Sequence, residues 1–214
     1  MEKHINWTKN LENYLKEIGE HSLCLSMLHK KCEAKFSSKA LCIDLPVIIL
    51  STLCGSLTLS AKNMFGVALE DTALKIVGGL SLFSGVLGTI QAYFSYSRRA
   101  EAHKSSYLEY SKLYRFIKVE LGLPRLSRIR PKKLLAMINE AYERRQELSP
   151  IVPKDIIKNF KKMYKKSTIK RPPQINGLEE ILIYAKSEEG DIELPSMENV
   201  VLQVGDNILD DVEI

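Results

Sequence analysis

Two uncharged apolar runs, Leu45–Ala61 and Ile76–Ser97, lie either side of a short polar stretch that carries Gly66, Lys62, Glu70 and Asp71. At about 1.5 Å per helical residue the first run reaches about 26 Å, and the second crosses a bilayer with some tilt. A chain so built has two outlets: a helical hairpin in a membrane, or one buried inside a soluble domain. A soluble core helix of this length would show one polar face. Between Ile76 and Phe94 only Ser, Thr, Gly and one Gln interrupt the apolar run. Membrane helices tolerate those residues where they touch one another. The pattern therefore predicts two membrane spans, at about 43–61 and 74–97, with Asp44 at the edge of the first.

The flanks predict the orientation. Lys30, Lys31, Lys35 and Lys39 precede the first span, and Arg98, Arg99 and Lys104 follow the second. The connecting stretch sets Lys62 against Glu70 and Asp71. Cations favour the cytoplasmic side, so both termini are expected in the cytoplasm and the connection on the far side. The first residues, Met-Glu-Lys-His, hold no apolar stretch for a cleaved signal, so the first span is expected to direct insertion itself. Cys24, Cys32, Cys42 and Cys54 then fall on the cytoplasmic or membrane side and are expected as free thiols.

The apolar rhythm continues outside the spans. Leu82, Val86, Thr89, Tyr93, Tyr96, Ala100, His103, Tyr107, Tyr110, Tyr114, Ile117 and Leu121 follow alternating steps of four and three, as in a coiled-coil seam. This predicts one helix of nearly fifty residues, ended by Gly122 and Pro124. Upstream, Leu11, Leu15, Ile18, Ser22, Leu25, His29, Cys32 and Phe36 form a matching stripe. A turn near Gly66 or Val67 sets residues whose numbers sum to about 133 at one height, which brings His29 level with His103 and near Cys32. His29 and His103 are thus candidates for pH sensing. The plainer reading makes them inward residues satisfied by nearby hydroxyls. No CxxC spacing or fourth ligand points to a metal.

Small and polar residues stud the spans: Ser51, Gly55, Ser56, Ser81, Ser84, Gly85, Gly88, Thr89 and Gln91. Small residues four apart let helix backbones approach closely, so these positions are candidates for helix packing or for lining a pore. The second span carries them on more than one face, which favours self-association. No charge lies deep in either span, which argues against a proton pump or an ion-coupled transporter.

Beyond Pro124 the segment RLSRIRPKKL is basic, and Pro131 opens a helix expected to run to Ser149. A second helix, Lys154–Lys166, carries Lys154, Lys158, Lys161 and Lys162 opposite an apolar side. With Arg98 and Arg99 these are candidates for contact with anionic headgroups, as against an ordinary solvated face. No reading motif accompanies the lysines, so nucleic acid is not an expected partner. Charge then inverts: residues 172–214 hold 11 acids and one Lys, against 15 acids and 30 cations in residues 1–171. That predicts a mostly disordered acidic tail able to engage a protein partner, with short elements at Leu178–Tyr184 and Val200–Val204. There is no Walker loop, HExxH or GxSxG and no other catalytic constellation, so neither an enzyme nor a cofactor is expected.

The expected fold is all-α: a membrane helical hairpin whose arms extend into a cytosolic stalk (1–124), then a basic helical segment (125–167) and an acidic tail (168–214). With that layout the chain resembles the two-transmembrane SLATT superfamily, most of all its members in large nucleocytoplasmic DNA viruses. The residues that carry the resemblance are Leu28-His29, Leu45-Pro46-Val47-Ile48-Ile49-Leu50-Ser51-Thr52 with Gly55, Ala102-His103, Tyr107–Leu121 and Ser149-Pro150-Ile151-Val152-Pro153. They cover roughly residues 7–165 by pattern rather than by an invariant motif. The resemblance implies an oligomeric membrane effector that perforates or depolarises membranes. Such effectors are usually coupled to a nucleotide-sensing domain, which this sequence does not show. The viral members equally imply a structural protein that anchors capsid or scaffold partners to a host or virion membrane.

Overall fold

The computed structural model describes residues 6–177, and among them the elements are helical. A very long helix α1 (Lys9–Phe94) is followed by α2 (Tyr96–Gly122), a 3-10 turn (Arg125–Ser127), α3 (Pro131–Leu148), α4 (Lys154–Met163) and the single turn α5 (Pro173–Asn176). Helix α1 reverses at Gly66, whose φ of 67° and ψ of 168° lie in a region essentially reserved for glycine. Its two arms run antiparallel in the predicted register. Ser51 and Ser84 share a hydrogen bond of 2.9 Å, and the Cys54 thiol lies 3.9 Å from the Val77 carbonyl.

Local chemistry sets the helix ends. Thr8 caps α1 by accepting the Leu11 N–H, and Glu12 in the first turn suits the positive end of the helix dipole. Pro131 occupies the first turn of α3, where its missing N–H costs nothing. At the far end of α2, Arg128 donates to the Leu121 and Leu123 carbonyls and pairs with Glu12. Arg125 reaches the same carboxylate, and the Arg128 guanidinium lies over the Trp7 ring. Two cations of the basic segment therefore close the start of α1 against the end of α2.

The sequence predicts one unbroken helix from the second span through Leu121, and the structure corrects this at Ser95. That residue takes the left-handed conformation, φ 45° and ψ 46°, between α1 and α2. Its N–H still donates to the Gln91 carbonyl, its carbonyl accepts from the Arg99 N–H, and its hydroxyl donates to the Ala92 carbonyl. The backbone thus loses little hydrogen bonding, but a non-glycine residue in this conformation costs about 1–2 kcal/mol. The joint also resets the inward stripe. Within the span the residues that turn inward are Val77, Ser84, Gly88, Gln91 and Ser95, whereas the predicted Leu82, Val86 and Tyr93 are exposed. Beyond the joint the predicted Ala100, His103, Tyr110 and Ile117 are buried.

The core lies outside the spans. Leu15, Ile18, Leu113 and Ile117 pack with Leu134 and Ile138 of α3. Cys24, Leu25, Leu28, Cys32 and Phe36 pack with Ala100, Tyr110, Ile156 and Phe160, and with Ile175 of α5. The polar-tinged stripes thus become a core because α3, α4 and α5 cover them. We call this assembly the head. Residues 168–177, predicted to open the acidic tail, belong to it: Pro172 and Ile175 are buried, and Lys170 pairs with Glu17. The rest of the tail, with its predicted elements Leu178–Tyr184 and Val200–Val204, lies outside the described residues.

The apolar windows of the two arms are the reverse. Only 11% and 17% of them are buried, whereas a soluble core helix would be mostly covered. Ile48, Ile49, Leu53, Phe83 and Val86 are all exposed. The protein therefore has two helices long and apolar enough to cross a membrane, joined to a head that has its own core.

Two substitutions test this division. Gly66→Ala is expected to destabilise the hairpin by about 1–3 kcal/mol through backbone strain, although nothing lies within 4 Å of the added carbon. Leu28→Ala, deep in the head, is expected to cost about 2–5 kcal/mol. Thermal unfolding of the purified protein measures both, with Gly55→Ala, in open space within a helix, expected near neutral.

Candidate functional site

The register that joins the arms brings two histidines into contact. His29 on α1 and His103 on α2 are each 2% exposed, and their Nδ1 atoms stand 2.9 Å apart. Such a bond needs one Nδ1 to carry the proton and donate and the other to be bare and accept, so the accepting ring is neutral. Protonating the acceptor turns it into a second donor and breaks the bond. Burial, and secondarily the His103 ring, pushes His29 down to about 4, and burial likewise lowers His103.

The pair sits inside a column of rings drawn alternately from the two helices. Tyr110 stacks on His29 at 5.7 Å, His29 lies 5.1 Å from His103, and His103 stacks on Phe36 at 5.3 Å. Phe36 continues to Tyr96 at 6.2 Å, and Tyr96 stacks on Phe94 at 5.3 Å, across the Ser95 joint. The sequence places every member of the column except Phe94 on its inward stripes, but their mutual stacking has no signature in spacing.

The surrounding charges are engaged elsewhere. On α1, Lys35 pairs with Asp155 of α4, and Lys30 lies over the Tyr107 ring of α2. On α2, Glu109 pairs with Lys112 and with Arg145 of α3, while Glu101 and Lys104 point outward. Among the described residues no carboxylate pairs with the imidazoles to favour their charged form. Cys32 is buried nearby, and burial lifts its thiol to about 12 and that of Cys24 to about 11. Both are therefore poor thiolate ligands and nucleophiles. All four cysteines are free. Among the described residues no group of three metal-binding side chains occurs.

The span candidates separate by role. Ser51 and Ser84 join the arms to each other. Ser56 and Thr89 return their hydroxyls to the carbonyls of Thr52 and Gly85 in their own helix. Gly55 and Gly85 face open space, and Ser81 is exposed. Gly88 and Gln91 turn toward an open cleft of about 300 Å³ where the spans meet the head. The cleft also holds Asp44, Ser95 and Arg98, of which the sequence marks only Arg98 as a site candidate. Arg99 is exposed beside it. Helix α4 buries Ile156 and Phe160 in the head and leaves Lys154, Lys158, Lys161 and Lys162 on the outside.

No protein-family model, curated protein or solved structure matches the chain.

The histidine pair predicts the acid response of the head. Unfolded histidine takes its proton near pH 6.5, whereas His29 stays neutral down to about 4. Between these values the unfolded chain binds more protons, so stability rises with pH through that window and levels off above about pH 7. The carboxyls of Glu12, Glu109 and Asp155 are held low by their cations, so their stabilisation is lost only lower, as pH falls through the ordinary carboxylate range. The midpoint of thermal unfolding is expected to drop from pH 7 to pH 5, with a shallower drop in the His29→Gln/His103→Gln variant. Equal slopes would remove the pair as the cause.

Proposed function

We propose that the chain is an integral membrane protein of the SLATT type, with two spans, a cytoplasmic head and an oligomeric working state. The observation that carries this reading is the exposure of the apolar arms beside a head whose core is already complete. A surface of that size left to water would drive aggregation, whereas lipid satisfies it. The span hydroxyls support the same conclusion. Those of Ser56, Thr58 and Thr89 bond within their own helices, so the arms offer few unpaired polar groups to hydrocarbon.

Self-association rests on the glycines. Gly55, Gly78, Gly79 and Gly85 have no neighbour within 4 Å of where a side chain would begin. Pairing of the two arms thus leaves these small faces free for other copies, which can approach closely there. In this reading the oligomer perturbs the membrane, and the head governs the spans through the ring column and the Ser95 joint. A structural role, in which the hairpin anchors the head and its protein partners to a host or virion membrane, is the second reading. The inward-bonded hydroxyls favour it, since a water-filled pathway is better served by hydroxyls free to turn toward it.

Expression in cells carrying a membrane-potential dye separates the two. Depolarisation by the wild type, lost in Gly85→Leu together with the oligomer seen in detergent, is the outcome expected of an effector. A stable oligomer that leaves the potential unchanged would leave the anchoring role. A monomer in detergent and in vesicles would overturn self-association in either case.

A further inference from the structure

The cleft at the joint between spans and head has the chemistry of a lipid headgroup site. It opens where both apolar windows end, and so, on the reading that the arms cross a membrane, at the height of the headgroups. Asp44 contributes a half-buried carboxylate and Arg98 an exposed guanidinium to the same cleft. Among the described residues neither belongs to an ion pair. Among the described residues the Asp44 carboxylate accepts one hydrogen bond, from the Ser97 hydroxyl at a long 3.3 Å. A carboxylate at a membrane edge with one weak neutral donor still has lone pairs to satisfy. Gly88 and Ala92 line the span side of the cleft. Their small size leaves room along the helix for the start of an acyl chain. The left-handed turn at Ser95 redirects the chain here, between Ala92 and Arg98.

We propose that this cleft binds a phospholipid with an ethanolamine headgroup, its phosphate on Arg98 and its ammonium on Asp44. Charge complementarity selects this occupant. A guanidinium matches a phosphate, and a carboxylate matches a cation that can donate hydrogen bonds. Choline carries the same charge but has no N–H to give Asp44. Glycerol headgroups bring no cation, and a serine headgroup brings a second carboxylate toward Asp44. The site also lies where the head meets the spans, so its occupancy bears on the angle at Ser95.

The test uses the full chain in detergent, with thermal unfolding and native mass spectrometry after adding phosphatidylethanolamine, phosphatidylcholine or phosphatidylglycerol at equal mole fraction. The ethanolamine lipid is expected to be retained about tenfold more strongly than the choline lipid, the equivalent of one charge-assisted hydrogen bond. It is also expected to raise the unfolding midpoint most. Asp44→Asn, which still accepts from Ser97, should erase that preference while leaving the lipid-free midpoint unchanged. Arg98→Gln should weaken retention of all three lipids. Equal retention of ethanolamine and choline lipids, or a preference that survives Asp44→Asn, would overturn the proposal. Alkaline extraction of reconstituted vesicles separates the two readings. A chain stripped from the bilayer overturns the membrane reading and this one with it. A chain that resists stripping without headgroup preference overturns this one alone.

Discussion

The antiparallel pairing of one chain segment with its own continuation, turned at a single glycine, is the constraint on which the rest depends. Once Gly66 takes its positive φ, every height along the two arms is fixed. Ser51 meets Ser84, and far beyond the spans His29 meets His103. One slip along the helix would carry the histidines past each other and break the ring column. The head reinforces the register from outside. Leu134, Ile138, Ile156 and Phe160 each pack against the arms, and Glu12 is clamped by Arg125 and Arg128. Each buried large side chain adds roughly 1.5–3 kcal/mol, so the head dominates the stability of the described structure.

The chain thereby divides into two regions that solve opposite solvation problems. In the head the apolar stripes are narrow and interrupted by Ser22, His29 and His103, and three further elements are needed to cover them. In the spans the apolar surface runs round most of the pair, and among the described residues little covers it. Between the regions sits Ser95, where a left-handed residue interrupts the helix without ending its hydrogen bonding. Strain held at a junction of this kind marks a place where two packings can differ by little energy. The column from Tyr110 through the histidines to Phe94 crosses that junction, so a change of protonation at its centre has a contiguous route to the span.

Much of this was legible in the sequence because hydropathy period and turn chemistry are local signals. The two runs, the reversal near Gly66, the upstream stripe from Leu11 to Phe36 and the level pairing of His29 with His103 all follow from counting residues. The break at Ser95 was not legible, since serine is an ordinary helix residue and the tertiary stacking of Tyr96 with Phe36 and Phe94 that accompanies the left-handed turn has no signature in spacing. The same omission misplaced the inward stripe of the second span, because a 4-3 rhythm carried across a joint keeps a phase the backbone does not. The sequence marks Asp44 as a span boundary and not as part of a cleft, since only the fold brings it beside Ser97 and Arg98. Composition assigns the turn α5 to the acidic tail, although Ile175 is a core residue.

Nitroxide accessibility in reconstituted vesicles tests the central claim, that the exposed apolar arms lie in lipid, most directly. Single labels at Ile48, Leu53, Phe83 and Val86, in a chain with its native cysteines replaced, are compared with labels at Leu126 and Ile151, which are exposed on the head. The account predicts that the four arm sites are reached by oxygen and shielded from a water-soluble nickel complex, with the opposite at the two head sites. Arm sites open to the nickel complex, or closed to both reagents as in a buried protein core, would contradict it.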